Sequence, residues 1–564
     1  MRALTIWLGL GVGALLAQPA AWAGETARGE VYEDVNGDGL RQDGEPGIAG
    51  VAVSNGLDVV ATDADGRYEI AVAEGDTLFI TKPGGWSVPL SPDRLPLFYV
   101  HHAPAGSPTG WRPRYRGLDP TGPLPPSVDF PLTRSPEPDS FRSIWFADPQ
   151  PQTADEVEFI RDDAVAELVG SDAAFGITLG DIAYDDLSLL PRLARNIAKI
   201  GVPWYHVPGN HDMNYLAAGD EGSLETFRRL FGPPYYSFDY GRVHFVVLDT
   251  VHYLGTSQGS EDPDPLGAGS YEGRLGARQL AWLANDLRLV PADRLVVLAM
   301  HIPLASPLDP QSPAINVSDR RELFEVLAGR DKLLALAGHM HIADHTYFGR
   351  DDGFDGPEPL HLHTLSAVSG SWWSGPLDER GVPVSYQRDG SPRGYSTMQV
   401  EGDRASLRFQ ATGKPADHQM RITLDTGFPR QQIEIRRHSR HGGLLGNRIE
   451  LEQLYSTSVL VNLFDGGPRS TVELSVDDRP PVVMERVVRT DPFVEELFQR
   501  SQATLKSWVR AVPTTHLWSA PLPADLRPGV HAISVRAVDE YGREHVEHKL
   551  FEVYALAEEA VGAD

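Results

Sequence analysis

Cysteine is absent from all 564 residues, so no disulfide and no thiolate metal site can form, and any metal must be held by oxygen and imidazole nitrogen. Basic residues are scarce beside acidic ones, 50 Lys and Arg against 78 Asp and Glu. The resulting formal charge of −28 argues against a nucleic-acid polymer as the main partner. Small phosphorylated or otherwise anionic ligands stay open, because a local cation cluster can still attract a phosphate. Long apolar runs are confined to the start. Residues 1–23 read as a cleaved export signal, with Arg2 ahead of an apolar stretch and small residues at Ala21-Trp22-Ala23. No later segment has the length and apolarity of a membrane span. The expectation is a soluble periplasmic or secreted protein whose oligomeric state the composition leaves open. No solenoid-length repeat is present either.

What the chain does contain falls into three regions. Residues 24–100 alternate short apolar pieces with turn signals (GEVYEDVNGDG, GIAGVAVSNG, VVATDADGRYEIAVAEG), the pattern of a small all-β module. Residues 101–140 are Pro-rich, lack helical periodicity and read as a linker laid over a surface. From 141 to 395, apolar strand candidates (SIWFA, AAFGITLG, VPWYHVPG, VHFVVLDT, LVVLAMHI, LLALAGHMH) alternate with helical stretches such as EVEFIRDDAVAELV. That alternation predicts an α/β sandwich whose central sheets are covered on their outer faces. Residues 396–564 are again strand-rich and predict a C-terminal all-β domain.

The polar residues of the middle region gather at strand ends: Asp148 and Gln150 in FADPQ, Asp181 in LGD, Asn210, His211 and Asp212 in GNHD, His301 in AMHIP, His339 and His341 in GHMH. Each short motif alone is weak. Together they offer carboxylates, amides and imidazoles, a mixture that suits Mn, Fe or Zn better than an all-oxygen Mg site. One carboxylate set between two ions about 3.5–4 Å apart can bridge them.

The ordered set resembles the calcineurin-like metallophosphoesterase family over about residues 141–370, in a bacterial, exported variant that carries DPQ. The resemblance implies a four-layer α/β/β/α sandwich holding two divalent transition-metal ions. Asp181 would bridge them, with Asp148, Gln150 and His341 on one ion and Asn210, His301 and His339 on the other. His211 would be the proton donor and Asp212 would orient its imidazole. Gln150 stands where the family usually has histidine, and its neutral amide is a weaker donor. The implied activity is hydrolysis of a phosphodiester of a small molecule or envelope component, by attack of a metal-bridging hydroxide. The diester is favoured because no dense Arg/Lys clamp for a terminal phosphate is apparent. A phosphomonoesterase acting on a nucleotide or sugar phosphate, and a non-catalytic cell-surface binding protein, are the alternatives.

Other residues carry smaller expectations. Trp372 and Trp373 in GSWWSG, and Arg393 in DGSPRGY, are expected at the substrate rim. Asp34, Asn36, Asp38, Gly39 and Glu45 match a calcium loop without flanking helices, so a calcium site and a plain acidic turn both stand. That segment resembles Cna-B or SdrD-type β modules, and the C-terminal region resembles the β-rich domain that accompanies a bacterial subset of the family. His244 reads as a satisfied strand histidine, and His361 and His363, on one strand face, as supporting or core residues. His206 and His345 carry no assignment.

Overall fold

A computed structural model describes residues 24–108, 114–255, 270–426 and 446–555. The expected export signal, residues 1–23, lies outside the described residues.

The middle region builds two sheets from β1 (Ser140–Phe146), β2 (Phe175–Leu179), β3 (Trp204–Val207), β4 (Tyr236–Tyr240), β5 (Val243–Val247), β6 (Leu295–Ala299), β7 (Leu333–Ala337), β8 (Asp344–Phe348), β9 (Leu360–Thr364), β10 (Gly394–Glu401) and β11 (Arg404–Ala411). One sheet runs β3-β2-β1-β10-β11 and the other β4-β5-β6-β7-β9-β8. Strands β2, β5 and β6 are buried at every residue, as parallel strands covered on both faces must be. Aromatic rings join the sheets: Phe175 meets Phe238 and Phe245 at centroid distances of 5.3 and 5.1 Å, and Tyr205 stacks on Phe238 at 4.0 Å. Helices connect the parallel strands. Ala154–Ile160 starts where the Thr153 side chain accepts a hydrogen bond from the Glu156 backbone N–H. Gly276–Leu287 buries Trp282 and Leu283. The result is a mixed α/β sandwich between an N-terminal and a C-terminal β domain.

Two expected boundaries move. Residues 101–140 are not a free linker, because Phe130–Arg134 pairs in parallel with Glu25–Glu33 and antiparallel with Trp86–Ser87. Buried Phe130 and Leu132 alternate with less buried neighbours, a two-residue period hidden among prolines. The sheet that contains β1 also does not end at 395. Hairpin β10–β11 pairs with β1 (Ser396↔Trp145, Val400↔Phe141), so residues 394–411 belong to the sandwich. Strands that join a distant partner look no different in sequence from those of the following all-β domain.

The N-terminal module has two four-stranded sheets, and its core is continuous with that of the sandwich. Phe79 packs on Trp282 at 6.1 Å, and Lys82 pairs with Glu137 at 2.8 Å. At the same seam His244 lies between Asp239 (2.8 Å) and Asp286 (2.9 Å), while the Thr81 and Ser237 hydroxyls are placed to donate to Asp286 Oδ1. The C-terminal domain packs a four- and a five-stranded sheet around its own core of Ile422, Val461, Leu474, Trp518, Val535 and Phe551. From it, helix Pro492–Arg500 and the segment to Val509 fold back against Trp372 and Tyr386 of the sandwich.

Candidate metal centre

Parallel strands leave their C-terminal ends on one side, and there the chain is bent into unusual conformations. Among the described residues, ten non-glycine positions have positive φ, and eight of them gather here: Asp148, Gln150, Asp181, Asp185, His339, His341, Trp372 and Trp373. Such backbone persists only where surrounding contacts hold it, and it aims side chains that a regular strand end would splay. The glycines before the ligands have a related task. A Cβ on Gly209 would lie 2.0 Å from the Asp181 nitrogen, and one on Gly338 would lie 2.7 Å from Asp148 Oδ2.

The side chains so aimed converge. His301 Nε2 is 2.9 Å from Asn210 Oδ1, 3.1 Å from His339 Nδ1 and 3.2 Å from Asp181 Oδ1. His341 Nε2 is 2.8 Å from Gln150 Oε1 and 3.7 Å from Asp148 Oδ1. Gln150 Nε2 donates to Asp181 Oδ2 at 2.9 Å, so the two oxygens of Asp181 face the two groups separately. These separations resemble the edges of a coordination polyhedron, roughly 3 Å for ligands about 2 Å from an ion. The outward nitrogens are fixed as well. His301 Nδ1 donates to the Leu179 carbonyl at 2.8 Å, His341 Nδ1 to the Gly370 carbonyl at 2.5 Å, and His339 Nε2 to the Ala314 carbonyl at 3.1 Å. Each imidazole thus turns its other nitrogen inward, where loss of any proton it carries would free a lone pair for an ion.

Electrostatics point the same way. Burial pushes the Asp148 carboxyl up to about 8, aided by the charge on Asp181. Burial would raise Asp181 too, but His301 and His211 outweigh it and hold that carboxylate below its usual range. Burial keeps His339 and His341 down at about 3, so both are neutral. His301 is drawn up to about 9 against its burial by Asp181. A proton on His301 supplies the positive charge that divalent ions would supply more fully, and such ions would restore Asp148 to its anion.

Three expectations about neighbouring residues are corrected. Asp212 does not orient His211. Its carboxylate accepts the backbone N–H groups of Ile182, Ala183 and Gly209, bracing the two ligand loops together. The partner of His211 is Asp185, whose Oδ1 lies 2.6 Å from Nδ1. Those two carboxylates, Asp181 and Asp185, overcome burial and raise His211 to about 9. Arg393 is not at a substrate rim. It is buried against Asp163 (2.8 Å) and the Pro383 carbonyl (2.6 Å). Trp373 is buried too, its indole N–H donating to the Pro149 carbonyl at 2.8 Å, and it braces the DPQ turn from behind. Trp372 does face the site, stacked on His341 at 4.1 Å.

Besides Asp185, three residues were missed. Tyr184 stacks on His211 at 4.2 Å, and Trp508, arriving from the C-terminal domain, stacks on Tyr184 at 5.9 Å and meets Trp372 at 6.3 Å. Arg388 donates its backbone N–H to the His341 carbonyl at 3.3 Å, and its charge disfavours protonation of that imidazole. A signal existed for Asp185, four residues after Asp181 in the same loop; none existed for Trp508. The acidic loop near residue 36 is closed on itself. Asp34 accepts from the N–H groups of Gly37, Asp38 and Gly39, Glu45 from those of Val35 and Gln42, and Asp38 from Asn36 Nδ2. Its carboxylates are not among the groups of three or more His, Asp or Glu ligands that converge within the described residues.

Three family models match the chain in succession: the N terminal of calcineurin-like phosphoesterase at residues 35–111, calcineurin-like phosphoesterase at 143–343, and the C terminal of calcineurin-like phosphoesterase at 363–545. The central match contains every converging ligand described above. The chain belongs to the calcineurin-like phosphoesterase superfamily.

Curated relatives of this calcineurin-like phosphoesterase include a cAMP/cGMP dual specificity phosphodiesterase of Mycobacterium tuberculosis, 29% identical over 27% of this chain and 42% of the relative. A probable cyclic nucleotide phosphodiesterase of Rhodococcus erythropolis is 36% identical over 13% of this chain and 24% of its own. A probable glycerophosphodiester phosphodiesterase of Arcobacter nitrofigilis is 23% identical over 34% and 64%. The chain therefore spans less than two thirds of the length of each. Among solved structures, a dimetal phosphatase from Danio rerio matches at a TM-score of 0.34 with 18% identity, covering 48% of this chain and 97% of that one. A purple acid phosphatase of yellow lupin matches at 0.35 with 13% identity, covering 68% and 66%.

Proposed function

We propose that this protein is an exported, dinuclear metal-dependent phosphoesterase that hydrolyses a phosphodiester of a small molecule or envelope component. The observation that carries this reading is the meeting of seven donors, Asp148, Gln150, Asp181, Asn210, His301, His339 and His341, around the two oxygens of Asp181. Asp148, Gln150 and His341 would hold one Mn, Fe or Zn ion, Asn210, His301 and His339 the other, and Asp181 both. When bound, the ions supply Lewis acidity toward phosphoryl oxygens and an activated water.

The remaining steps belong to the chain. Asp185 holds His211 Nδ1, which leaves Nε2 to carry the proton delivered to the departing alkoxide oxygen. The Asp185 carboxylate beside Nδ1 stabilises the charged imidazole that a donor requires. Tyr184, Trp508 and Trp372 form an aromatic arc from His211 to His341, a wall suited to the organic portion of a diester. The phosphodiesterase names of the three relatives favour the diester over a monoester. The test is hydrolysis of bis-nitrophenyl phosphate against nitrophenyl phosphate by metal-loaded protein. Faster diester turnover that disappears in Asp181→Ala is expected; equal or absent turnover of both by fully loaded protein would overturn the reading.

A further inference from the structure

A second set of ligand atoms converges apart from the strand-end cluster, where the sandwich meets the C-terminal domain. His345, His363 and Asp465 each offer one atom, and these lie within 4.8 Å of one another. His345 and His363 are directly opposed on the antiparallel strands β8 and β9, so the pleat sends both to one face. Asp465 follows strand Ser458–Leu463 of the C-terminal sandwich and reaches them across the boundary.

The contacts have the form of a coordination site. Asp465 Oδ1 is 2.8 Å from His363 Nε2 and 3.7 Å from His345 Nε2. Two ligands tetrahedrally disposed about 2.1 Å from a zinc ion stand roughly 3.4 Å apart, a value these separations straddle. The carbonyl of Asp465 adds a further oxygen 3.2 Å from His345 Nε2. Both imidazoles are tied from behind: His363 Nδ1 lies 3.0 Å from the Tyr541 hydroxyl, and His345 Nδ1 lies 2.9 Å from His361 Nε2. Both Nε2 atoms point at Asp465 oxygens, to which they donate when no ion is bound; with Tyr541 and His361 as acceptors for Nδ1–H, each Nε2 would instead offer its lone pair to an ion seated between them. The His345 and His363 rings are stacked at 3.9 Å and both side chains are fully buried. Two imidazolium ions could not share that arrangement, so at least one of the two rings is neutral and able to ligate a cation shared with the carboxylate.

We propose that His345, His363 and Asp465 form a mononuclear site for a divalent first-row ion, zinc in preference to magnesium, that pins the C-terminal domain to the sandwich. Two imidazole nitrogens and one carboxylate oxygen make a donor set in which zinc is at home, with a fourth position for water. The site is separate from the proposed dinuclear centre and would have a structural task. It does not depend on the hydrolase reading.

The experiment uses the full chain, stripped of metal and reloaded with zinc or cobalt, in two backgrounds: the native protein and a double variant, Asp181→Ala with Asn210→Ala, that disables the dinuclear centre. The double variant should retain one zinc per chain by elemental analysis, and with cobalt should show the intense visible bands of a tetrahedral ion. Adding Asp465→Asn or His363→Ala should remove that ion and bleach the bands. In the native background, Asp465→Asn should lower the metal count by one, abolish the zinc-dependent rise in melting temperature of the C-terminal domain, and leave hydrolysis within about twofold. A double variant that binds no ion, or one whose ion survives Asp465→Asn, overturns the proposal. If Asp465→Asn fails to fold by circular dichroism, the cobalt spectrum of the double variant decides alone: colourless protein overturns it.

Discussion

The two histidine clusters of this molecule are built by opposite means. At the strand ends, ligands sit on loops whose backbone is forced to positive φ, and each imidazole is aimed by a carbonyl behind it. At the domain boundary, His345 and His363 stand on regular antiparallel strands, and the partner that completes the group comes from another domain. A loop can bring donors from five strands to one point and still leave room for a substrate. A pleated surface supplies two parallel side chains with no strain but depends on something else to close the group. The first design suits chemistry and the second suits joining.

Perturbations should separate the two. The largest effect is expected from Asp181→Ala, which removes the carboxylate shared by both halves of the strand-end cluster. Turnover should fall roughly 10^3-fold or more, with an unchanged circular dichroism spectrum. Retained turnover would show that convergence at the strand ends is not what drives hydrolysis. Next comes His211→Ala, with a loss of about 10^2- to 10^4-fold for alkyl leaving groups and a much smaller one for nitrophenolate, which needs little protonation. Asp185→Asn should give a partial version, about 10- to 100-fold, with the same dependence on leaving group. If Asp212→Asn reproduced that dependence and Asp185→Asn did not, the assignment of the His211 partner would be wrong.

A third histidine sharpens the contrast. His244 is on a regular strand like His363 but is held by two carboxylates, and although burial lowers its proton affinity, Asp286 and Asp239 raise it to about 9. Because the folded value exceeds the unfolded one near 6.5, its stabilisation is complete below about pH 6.5 and is lost as pH rises through about 9. The difference corresponds to about 3 kcal/mol. Chemical denaturation between pH 6 and 10 should show that decline, and His244→Gln should flatten it without any response to zinc. The smallest effect is expected from Trp508→Ala, with KM for a bulky diester rising about tenfold and kcat little changed. An equal fall in kcat would assign the indole a part in the chemical step.

The convergence of the strand-end donors was legible because strand, turn and donor are contiguous in each motif: FADPQ, LGD and GHMH each carry the strand end and the side chain it presents. The sandwich was legible for the same reason, through apolar runs buried on both faces. What escaped depended on contacts between distant segments. Asp185 and Asp212 are equally plausible next to His211 in a linear reading, and only the turn of the GD loop decides between them. Arg393 looked free beside glycine and proline, yet Asp163, 230 residues away, takes its guanidinium. Trp508 enters the site through a domain whose own core gives no hint of it. His345 carried no assignment and His363 only a supporting or core one, and nothing linked the two until Asp465 stood opposite them.

Hairpin β10–β11 completes the sheet that begins with β1, more than 240 residues upstream in the chain. During synthesis, the edge of β1 therefore stays without its neighbour until Ala411 has left the ribosome, by which time both ligand-bearing sheets are otherwise fully translated. An open edge of that kind is a site for misassociation between nascent chains. The late arrival of one hairpin therefore postpones completion of the sheet until the sandwich is almost wholly synthesised.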